Sequence, residues 1–156
     1  MGEISFSSLK ESDLEEVLAI ERASFPTPWT RGMFLEDTAR GDIAVFIVAR
    51  SENRIIGYGG FWLVLNEAHL GNLAVHPRFR HQGIGEEILK KLIEIACSKK
   101  ANLMTLEVRE TNEIARALYE KMGFKLVAIR KGYYQDTNED AYIFLKDGLD
   151  EDGEIK

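Results

Sequence analysis

The sequence predicts one α/β domain whose central sheet is mixed but mostly antiparallel, with about seven strands and about four flanking helices. Three observations support this fold class. Two helical patterns come early in the chain, a quick succession of apolar strand patterns follows, and a strand–helix–strand crossover comes next. With 156 residues and 45% hydrophobic composition, the chain can bury a core without disulfides.

The first part of the chain begins as a strand and continues as two helices. Ile4 and Phe6 alternate with polar residues, which is typical of a strand. A capping-box pattern at residues 12–15 predicts the start of the first helix. The PTPW run (26–29) ends that helix because its prolines hold the chain extended. A second, short helix is predicted to begin near Thr30.

The remaining elements follow from apolar periodicity and from turn residues. The short SENR connection (51–54) predicts an antiparallel hairpin. Gly123 followed by Phe124 has the pattern of a left-handed glycine cap that ends the last helix. The predicted strands are 43–50, 55–65, 68–75, 103–108, 125–132 and 141–146, and the predicted helices are 84–96 and 112–122.

Composition excludes several classes of function. The net charge is −6, but the last ten residues alone carry −4, which leaves about −2 for the rest and no broad basic face for nucleic acid. We expect residues 1–146 to form the domain and residues 147–156 to be an acidic, disordered tail. Neither a membrane span nor a secretory signal pattern is visible, so we expect a cytoplasmic protein, a monomer or weak dimer.

Two residue types that often carry chemistry give no signal here. The single cysteine, Cys97, cannot form an internal disulfide, and its helical surroundings favour a packing role. The histidines at positions 69, 76 and 81 lack metal-ligand spacing, so we expect no metal site.

A glycine turn at HPRFRHQGIGEEILKKL (76–92) is the first functional signal. Gly83 and Gly85 precede an apolar helical stripe, and glycines there let backbone N–H groups approach an anion at the positive end of a helix. The third glycine of a dinucleotide fingerprint would fall at Ile88, and the Gly-Lys-Ser/Thr of a P-loop is absent. From this motif alone, an ordinary tight turn remains the commoner explanation.

The context of the turn carries a family resemblance. The order strand, Val75-His76-Pro77, Arg80-x-x-Gly83-x-Gly85, helix resembles the acetyl-CoA-binding signature of the GCN5-related N-acetyltransferase (GNAT) superfamily. The resemblance covers residues 4–146 and includes the order of the elements. Three further segments resemble the RimI/Ard1-type branch, which acetylates protein N-termini and in the case of RimI a ribosomal protein: FPTPW (25–29), TLEVRETNEIARALYEKMGF (105–124) and GYYQDTNEDAY (132–142).

The resemblance implies a single-domain GNAT fold and a set of acetyl-CoA contacts. The main chain of Leu73, Ala74 and Val75 would pair with the pantetheine arm, as a strand edge pairs with an extended peptide. The diphosphate would lie on the turn, and Asn112 would contact the cofactor. Core packing for Leu73 and Val75, and a helix cap for Asn112, remain alternatives. The implied turn residues are Arg80, His81, Gln82, Gly83, Ile84, Gly85 and Glu86.

The resemblance also implies two catalytic residues. Glu107 would accept the proton of the acceptor amine, although alternation along its strand alone favours a surface-facing acid. Tyr119 would protonate the departing thiolate, although it also fits an apolar helical stripe. A peptide α-amine has a pKa of about 8 and a lysine amine about 10.4, so an α-amine asks less of its base.

The acceptor is implied to enter between two aromatic loops. Phe25 and Trp29 lie in the loop between the first helices, and Tyr133 and Tyr134 are expected in the loop before the last strand. These side chains would wall a peptide entrance, or they would anchor local packing. Thr27-Pro28 lengthens the shorter Phe-Pro-Trp run of RimI. The predicted function is acetyl transfer from acetyl-CoA to a protein N-terminus; the alternatives are a small-molecule amine acetyltransferase and a non-catalytic acyl-CoA-binding module.

Overall fold

The computed structural model describes residues 2–150, which form one seven-stranded sheet in the order β1-β2-β3-β4-β5-β7-β6 and four α-helices. The predicted fold class is confirmed. The strands are β1 (Ser5–Ser8), β2 (Ala44–Ser51), β3 (Arg54–Val64), β4 (Glu67–Val75), β5 (Leu103–Arg109), β6 (Lys125–Tyr134) and β7 (Glu139–Lys146). The helices are α1 (Leu14–Ser24), α2 (Arg31–Thr38), α3 (Ile84–Ser98) and α4 (Glu113–Lys121).

The sheet is antiparallel except at one place. β4 and β5 pair in parallel because α3 carries the chain back across the sheet between them. The β2–β3 hairpin turns at Glu52 and Asn53, whose φ angles of 53° and 66° match a two-residue hairpin turn. The predicted hairpin at SENR is therefore confirmed.

Helices cover both faces of the sheet, and each face has its own apolar cluster. The apolar side of α3, from Ile84 to Ala96, packs on one face together with Tyr119 of α4. Helices α1 and α2 pack on the other face, where Leu14, Val17 and Phe34 are fully buried. Among residues 2–150, no helix has both the length and the apolar composition that a membrane crossing requires.

Two local predictions are corrected. The first helix begins at Leu14 after a short 3₁₀ turn, and the carboxylate of Asp13 accepts a hydrogen bond from the backbone N–H of Lys10 at 2.9 Å, so residues 12–15 do not form the predicted cap. Tyr133 and Tyr134 lie at the end of β6 and not in a loop, because the β6–β7 hairpin extends its ladder to the Tyr134–Glu139 pair.

The boundary at residue 146 is also corrected. Leu149, placed in the tail from composition, is 2% exposed and belongs to the α3-side cluster. Its N–H donates to the carbonyl of Asn102 at 3.1 Å, and its carbonyl lies 3.4 Å from Sγ of Cys97. The packed chain therefore reaches Leu149. Residues 151–156 of the expected tail lie outside the described residues.

Candidate active site

The site begins where two neighbouring strands part. β4 and β5 pair over Glu67–His69 and Leu103–Thr105 only, within the described residues. Beyond this, 70–75 pairs with β3 alone and 106–109 pairs with β7 alone. The two facing edges therefore present backbone N–H and C=O groups that no strand ladder uses. We call this opening the gap.

A β-bulge shapes the β4 side of the gap. Phe61 pairs with Leu70 but Gly59 pairs with Leu73, so β4 contains one extra residue between these pairs. The bulge turns Asn72 inward, where its Nδ2 donates to Oε1 of the buried Glu21 at 2.9 Å. The same carboxylate accepts from the N–H of Trp29 at 2.9 Å. Glu21 therefore ties the bulge to the α1–α2 loop.

The glycine turn lies at the start of α3, directly after β4. Gly83 has φ +81°, which an L-residue rarely adopts. The first helical bond runs from Glu87 N–H to the Gly83 carbonyl, so the N–H groups of 84–86 precede the helical ladder. A Cβ on Gly85 would lie 3.6 Å from Leu118 and 3.7 Å from Val75, which are ordinary contacts. Packing does not require glycine at 85, whereas close approach of an anion does.

The charged side chains at this turn are bound elsewhere. Arg80 donates from Nε to the carbonyl of Val75 at 3.0 Å and from Nη2 to Oγ of Ser24 at 3.0 Å, so it fastens the end of β4 to α1. Glu86 forms ion pairs with Lys121 at 2.7 Å and with Lys90 at 3.4 Å. The side chains of Arg80 and Glu86 are therefore engaged within the described chain, and any contact of the turn with an anion stays a prediction.

The other sequence-predicted cofactor residues occupy structural positions as well. Leu73 and Val75 pack, partly buried, against the α3-side cluster, and Ala74 is buried on the opposite face. Asn112 caps α4, because its Oδ1 accepts from the N–H of Ala115 at 3.2 Å. Contact of these four residues with the cofactor stays a prediction.

Glu107 faces the gap from β5, on the α1/α2 side of the sheet. It alternates with Leu106 and Val108, which are buried on the opposite face. Its Oε2 lies 2.9 Å from Nε2 of His69, and its Oε1 accepts from the Tyr133 hydroxyl at 3.4 Å. The His69 hydrogen bond lowers the pKa of Glu107 more than burial raises it. Glu107 is therefore ionised at neutral pH.

His69 is a site residue that sequence reasoning missed. It lies on β4, opposite Thr105 in the parallel ladder, and its ring meets the Trp62 ring edge-on at 5.8 Å between centroids. The sequence patterns assign His69 no role beyond the absence of metal-ligand spacing. The available signal was that His69 stands between Ala68 and Leu70, both buried, and so must face the other way.

Tyr119 of α4 lies on the α3/α4 side of the sheet. It is 7% exposed, and its ring lies 5.7 Å from Phe124 and 6.4 Å from Phe144. Within residues 2–150 its hydroxyl has no hydrogen-bond partner. Burial, and secondarily the nearby Tyr134 phenol, raises the pKa of Tyr119 above its ordinary value. Tyr119 is therefore a protonated phenol at neutral pH.

The aromatic residues predicted for the acceptor divide into two groups. Trp29 and the partly buried Phe25 pack with the α1/α2-side cluster, and the Trp29 ring lies 5.8 Å from Trp62. The rings of Tyr133 and Tyr134 pack together at 5.0 Å at the end of β6, where the Tyr133 hydroxyl meets Glu107. Both groups therefore lie on the Glu107 side of the sheet or at its edge. Their contact with an acceptor stays a prediction.

A polar bridge joins the two loops beside the site. The Thr27 hydroxyl donates to Oδ2 of Asp136 at 2.5 Å. Arg109 of β5 donates to both oxygens of the same carboxylate at 3.0 and 2.9 Å, and its guanidinium lies 4.1 Å over the Tyr134 ring. The extra Thr27-Pro28 in the sequence therefore connects the α1–α2 loop to the β6–β7 turn.

The stretch of chain that contains most of these elements matches a known family. The model of the acetyltransferase (GNAT) family matches residues 14–124. The chain belongs to the acetyltransferase (GNAT) family. It is an N-acetyltransferase, as the sequence resemblance predicted.

Relatives of known name place the chain within this family. A Bacillus subtilis (strain 168) relative is 35% identical over 136 residues, which are 87% of this chain and 90% of that protein. The ribosomal protein bS18-alanine N-acetyltransferase of Escherichia coli (strain K12) is 33% identical over 141 residues, 89% of this chain and 94% of that protein. The crystal structure of the E. coli ribosomal-protein-S18-alanine N-acetyltransferase matches with TM-score 0.85 and 32% identity, over 94% of each chain. The RimI-type resemblance is confirmed.

Proposed function

We propose that this N-acetyltransferase transfers an acetyl group from acetyl-CoA to the α-amine of the N-terminal alanine of ribosomal protein bS18. The acceptor named for its relatives supports this reaction. The observation that carries the proposal is the gap between β4 and β5. An ionised Glu107 lies beside the gap on the α1/α2 side of the sheet, a protonated Tyr119 lies on the α3/α4 side, and the α3 turn follows from the end of β4.

Acetyl-CoA, the acetyl donor of the family, fits the residues around the gap. The backbone N–H groups of 82–86 would hold its diphosphate, and the edge of β4 at 73–75 would hold its amide-bearing arm. When bound, it supplies an acetyl thioester that an amine can attack directly. Positioning of the amine is then the main contribution of the protein, and no covalent bond to a side chain is required.

Glu107 accepts the proton of the acceptor amine in this proposal, directly or through a water. His69 holds the carboxylate in place and keeps it ionised. The same hydrogen bond makes Glu107 a weak base, so it serves an amine that is already partly neutral. A peptide α-amine with a pKa of about 8 meets that condition, and a lysine amine near 10.4 does not. The site therefore favours α-amines.

Tyr119 supplies a proton to the departing sulfur. Its raised pKa keeps the phenol protonated at neutral pH. Its hydroxyl is not engaged by another group of the described chain, so the proton is available to the sulfur. The rings of Phe124 and Phe144 fix its orientation. A thiol leaves more readily than a thiolate, so this donor lowers the barrier to departure.

The acceptor is tested with a peptide of the first six residues of the same organism's bS18. We expect turnover with a free α-amine, none with a formylated N-terminus, and mass spectra that place the acetyl group on the α-amine even when the peptide contains lysine. No turnover on any free N-terminus, with activity on polyamines or aminoglycosides, would transfer the assignment to a small-molecule acetyltransferase. Tight acetyl-CoA binding by calorimetry without product on a broad amine panel would indicate a non-catalytic module.

The cofactor position is tested with Gly85→Ala. The structure has room for this methyl group, so we expect the melting temperature to stay unchanged. The methyl group would block close approach of a diphosphate, so we expect the KM for acetyl-CoA to rise by roughly tenfold. Gly41→Ala, on a surface turn with nothing within 4 Å of the new methyl group, is the matched control. An unchanged KM for acetyl-CoA in Gly85→Ala would contradict the proposed location of the diphosphate at the turn.

A further inference from the structure

An open pocket lies beside the acetyl-transfer site, between α2 and the outer face of β3. Its volume is about 260 Å³, and its walls come from two tryptophans, a methionine and two acids: Trp29, Met33, Glu36, Asp37 and Trp62. Trp29 was predicted to meet the acceptor, and the other four residues have no role in the chemistry described so far. We call this the tryptophan pocket.

The two acids of the pocket have no counter-charge among the described residues. No ion pair among residues 2–150 includes Glu36 or Asp37. Both acids stand near the C-terminal end of α2, whose last turn contains no basic residue. Negative charge is unfavourable at that end of a helix. The fold therefore gains little from these carboxylates, and they remain available to an external cation.

Other acids near the gap form ion pairs with basic side chains, unlike the two acids of the pocket. Asp136 and Glu139 pair with Arg109, and Asp140 pairs with Lys131. In the pocket, Asp37 accepts only a neutral donor, the indole Nε1 of Trp62 at 2.8 Å. That bond fixes the indole and leaves the second carboxylate oxygen of Asp37 open.

The tryptophans add a second attraction for a cation. Their ring centroids are 5.8 Å apart with an interplanar angle of 31°, and Trp29 packs on Phe34 at 5.1 Å, which holds it in place. Gly71 leaves room for the Trp62 ring, since a Cβ there would lie 2.6 Å from it. Indole faces attract ammonium and guanidinium groups. Acids beside indoles therefore suit a lysine or arginine side chain.

The tryptophan pocket adjoins the proposed amine site on the same face of the sheet. Trp62 pairs with His69 across the β3–β4 ladder, and their rings are 5.8 Å apart. His69 in turn touches Glu107 at 2.9 Å. A peptide with its amino group at Glu107 advances about 3.3 Å per extended residue. One of the next few side chains would therefore reach the pocket.

We propose that the tryptophan pocket binds a lysine or arginine side chain within the first few residues that follow the acetylated amino acid. The proposal rests on the proposed function for the location of the amine. It adds a chemical requirement to that function: acceptors are selected by positive charge near, but not at, their N-terminus. An acceptor with neutral side chains in this stretch would leave Glu36 and Asp37 without a partner.

The test compares peptides that differ in one side chain. Each peptide begins with alanine and contains arginine, citrulline or norleucine at its second, third, fourth or fifth position. Citrulline keeps the shape of arginine and removes its charge. At one of these positions we expect kcat/KM for arginine to exceed that for citrulline by roughly tenfold, mainly through KM, and the preference to shrink at high salt. Equal kcat/KM at all four positions, or a preference for norleucine, would overturn the proposal.

The matched variants are two double substitutions. Glu36→Gln with Asp37→Asn removes both charges and keeps an acceptor for the Trp62 indole, so we expect the arginine-to-citrulline ratio to fall close to one. Glu94→Gln with Glu120→Gln removes two exposed acids from α3 and α4 and should leave the ratio unchanged. An unchanged ratio in the first double variant would show that the pocket is not the source of the preference.

A binding measurement separates this proposal from the proposed function. The chain has two tryptophans, and both line the pocket, so intrinsic fluorescence reports on it without any turnover. We expect arginine peptides to change the emission at lower concentration than their citrulline counterparts. Failure of every free N-terminus to be acetylated would contradict the proposed function alone. Equal titration by arginine and citrulline peptides would overturn the pocket even if the enzyme acetylates both.

Discussion

On the α1/α2 face of the gap, Glu107 is partly exposed and accepts hydrogen bonds from His69 and Tyr133. On the α3/α4 face, Tyr119 is buried against Phe124 and Phe144, and none of the described residues bonds to its hydroxyl. The polar environment lowers the pKa of Glu107, and the buried environment raises the pKa of Tyr119. Polar and apolar surroundings of the same opening therefore give it an ionised acceptor and a protonated donor at one pH.

The contrast shows how the two faces of one sheet can separate a proton acceptor from a proton donor. Neighbouring titratable groups with pKa values moved in opposite directions are a common arrangement of acid–base sites. Here the sheet itself supplies the separation, since alternation along β5 sends Glu107 to one face while its neighbours Leu106 and Val108 join the α3-side cluster on the other. Four substitutions would break or sharpen this comparison.

Glu107→Gln is expected to have the largest effect. It keeps the size of the side chain and its capacity to meet His69, but it removes the proton acceptor, so kcat should fall by roughly 10³-fold. Steady-state assays at neutral pH with the bS18 peptide measure this, with Glu94→Gln, an exposed acid on α3, as the control. Full turnover by Glu107→Gln would abolish the acceptor role.

Tyr119→Phe should come second. It removes only the hydroxyl, so kcat should fall by about 10²-fold. The melting temperature should hold, because the lost hydroxyl has no partner among residues 2–150 and the ring contacts remain. In the wild type the raised pKa predicts no loss of activity through tyrosine ionisation up to about pH 10. A variant that turns over at the wild-type rate would reduce Tyr119 to a packing residue.

His69→Ala tests why the two faces differ. Without its main hydrogen bond, Glu107 keeps the burial that raises its pKa and only the weaker interactions with Tyr133 and Arg130 that lower it, so its pKa should rise. In the wild type the lowered pKa stabilises the fold above the ordinary value of 4.5, and that contribution is lost as the pH falls through the lower folded value. Carboxyl ¹³C NMR follows the titration directly. His76→Ala, whose imidazole lies at the end of β4 instead, is the control, and identical Glu107 titrations in all three proteins would contradict the pairing.

Tyr133→Phe should have the smallest effect. Its hydroxyl reaches Glu107 at 3.4 Å, a long hydrogen bond, and the ring is 42% exposed. We expect about a twofold change in kcat/KM for the peptide and a small rise in the Glu107 pKa. The His69 and Tyr133 effects should keep this order in the NMR titration. A larger shift from Tyr133→Phe than from His69→Ala would mean that the wrong partner has been assigned.

Local patterns in the sequence predicted much of this arrangement. The end of α1 before PTPW, the left-handed Gly123, and the outward face of Glu107 each follow from a few adjacent residues. The family resemblance then named Glu107 and Tyr119 as a pair. These elements are set by backbone constraints and alternation, which a sequence displays directly.

Contacts between distant segments were not predictable in the same way. His69 meets Glu107 only because β4 and β5 are parallel neighbours in the register that pairs His69 with Thr105. The tryptophan pocket likewise requires α2 to lie over β3. The acidic residues around Leu149 led to its assignment to the tail, but its burial depends on contacts with Asn102 and Cys97, which are distant in sequence. Register and packing decide these contacts, and composition does not reveal them.

A crystal structure with a conjugate of coenzyme A and the bS18 peptide tests the central claim most directly. We predict that the conjugate passes through the gap, with its diphosphate on the amides of 82–86, its sulfur next to Oη of Tyr119, and its peptide nitrogen on the side of Glu107 and His69. A diphosphate bound elsewhere, or a sulfur and nitrogen on the same face of the sheet, would contradict the claim that Glu107 and Tyr119 act from opposite faces.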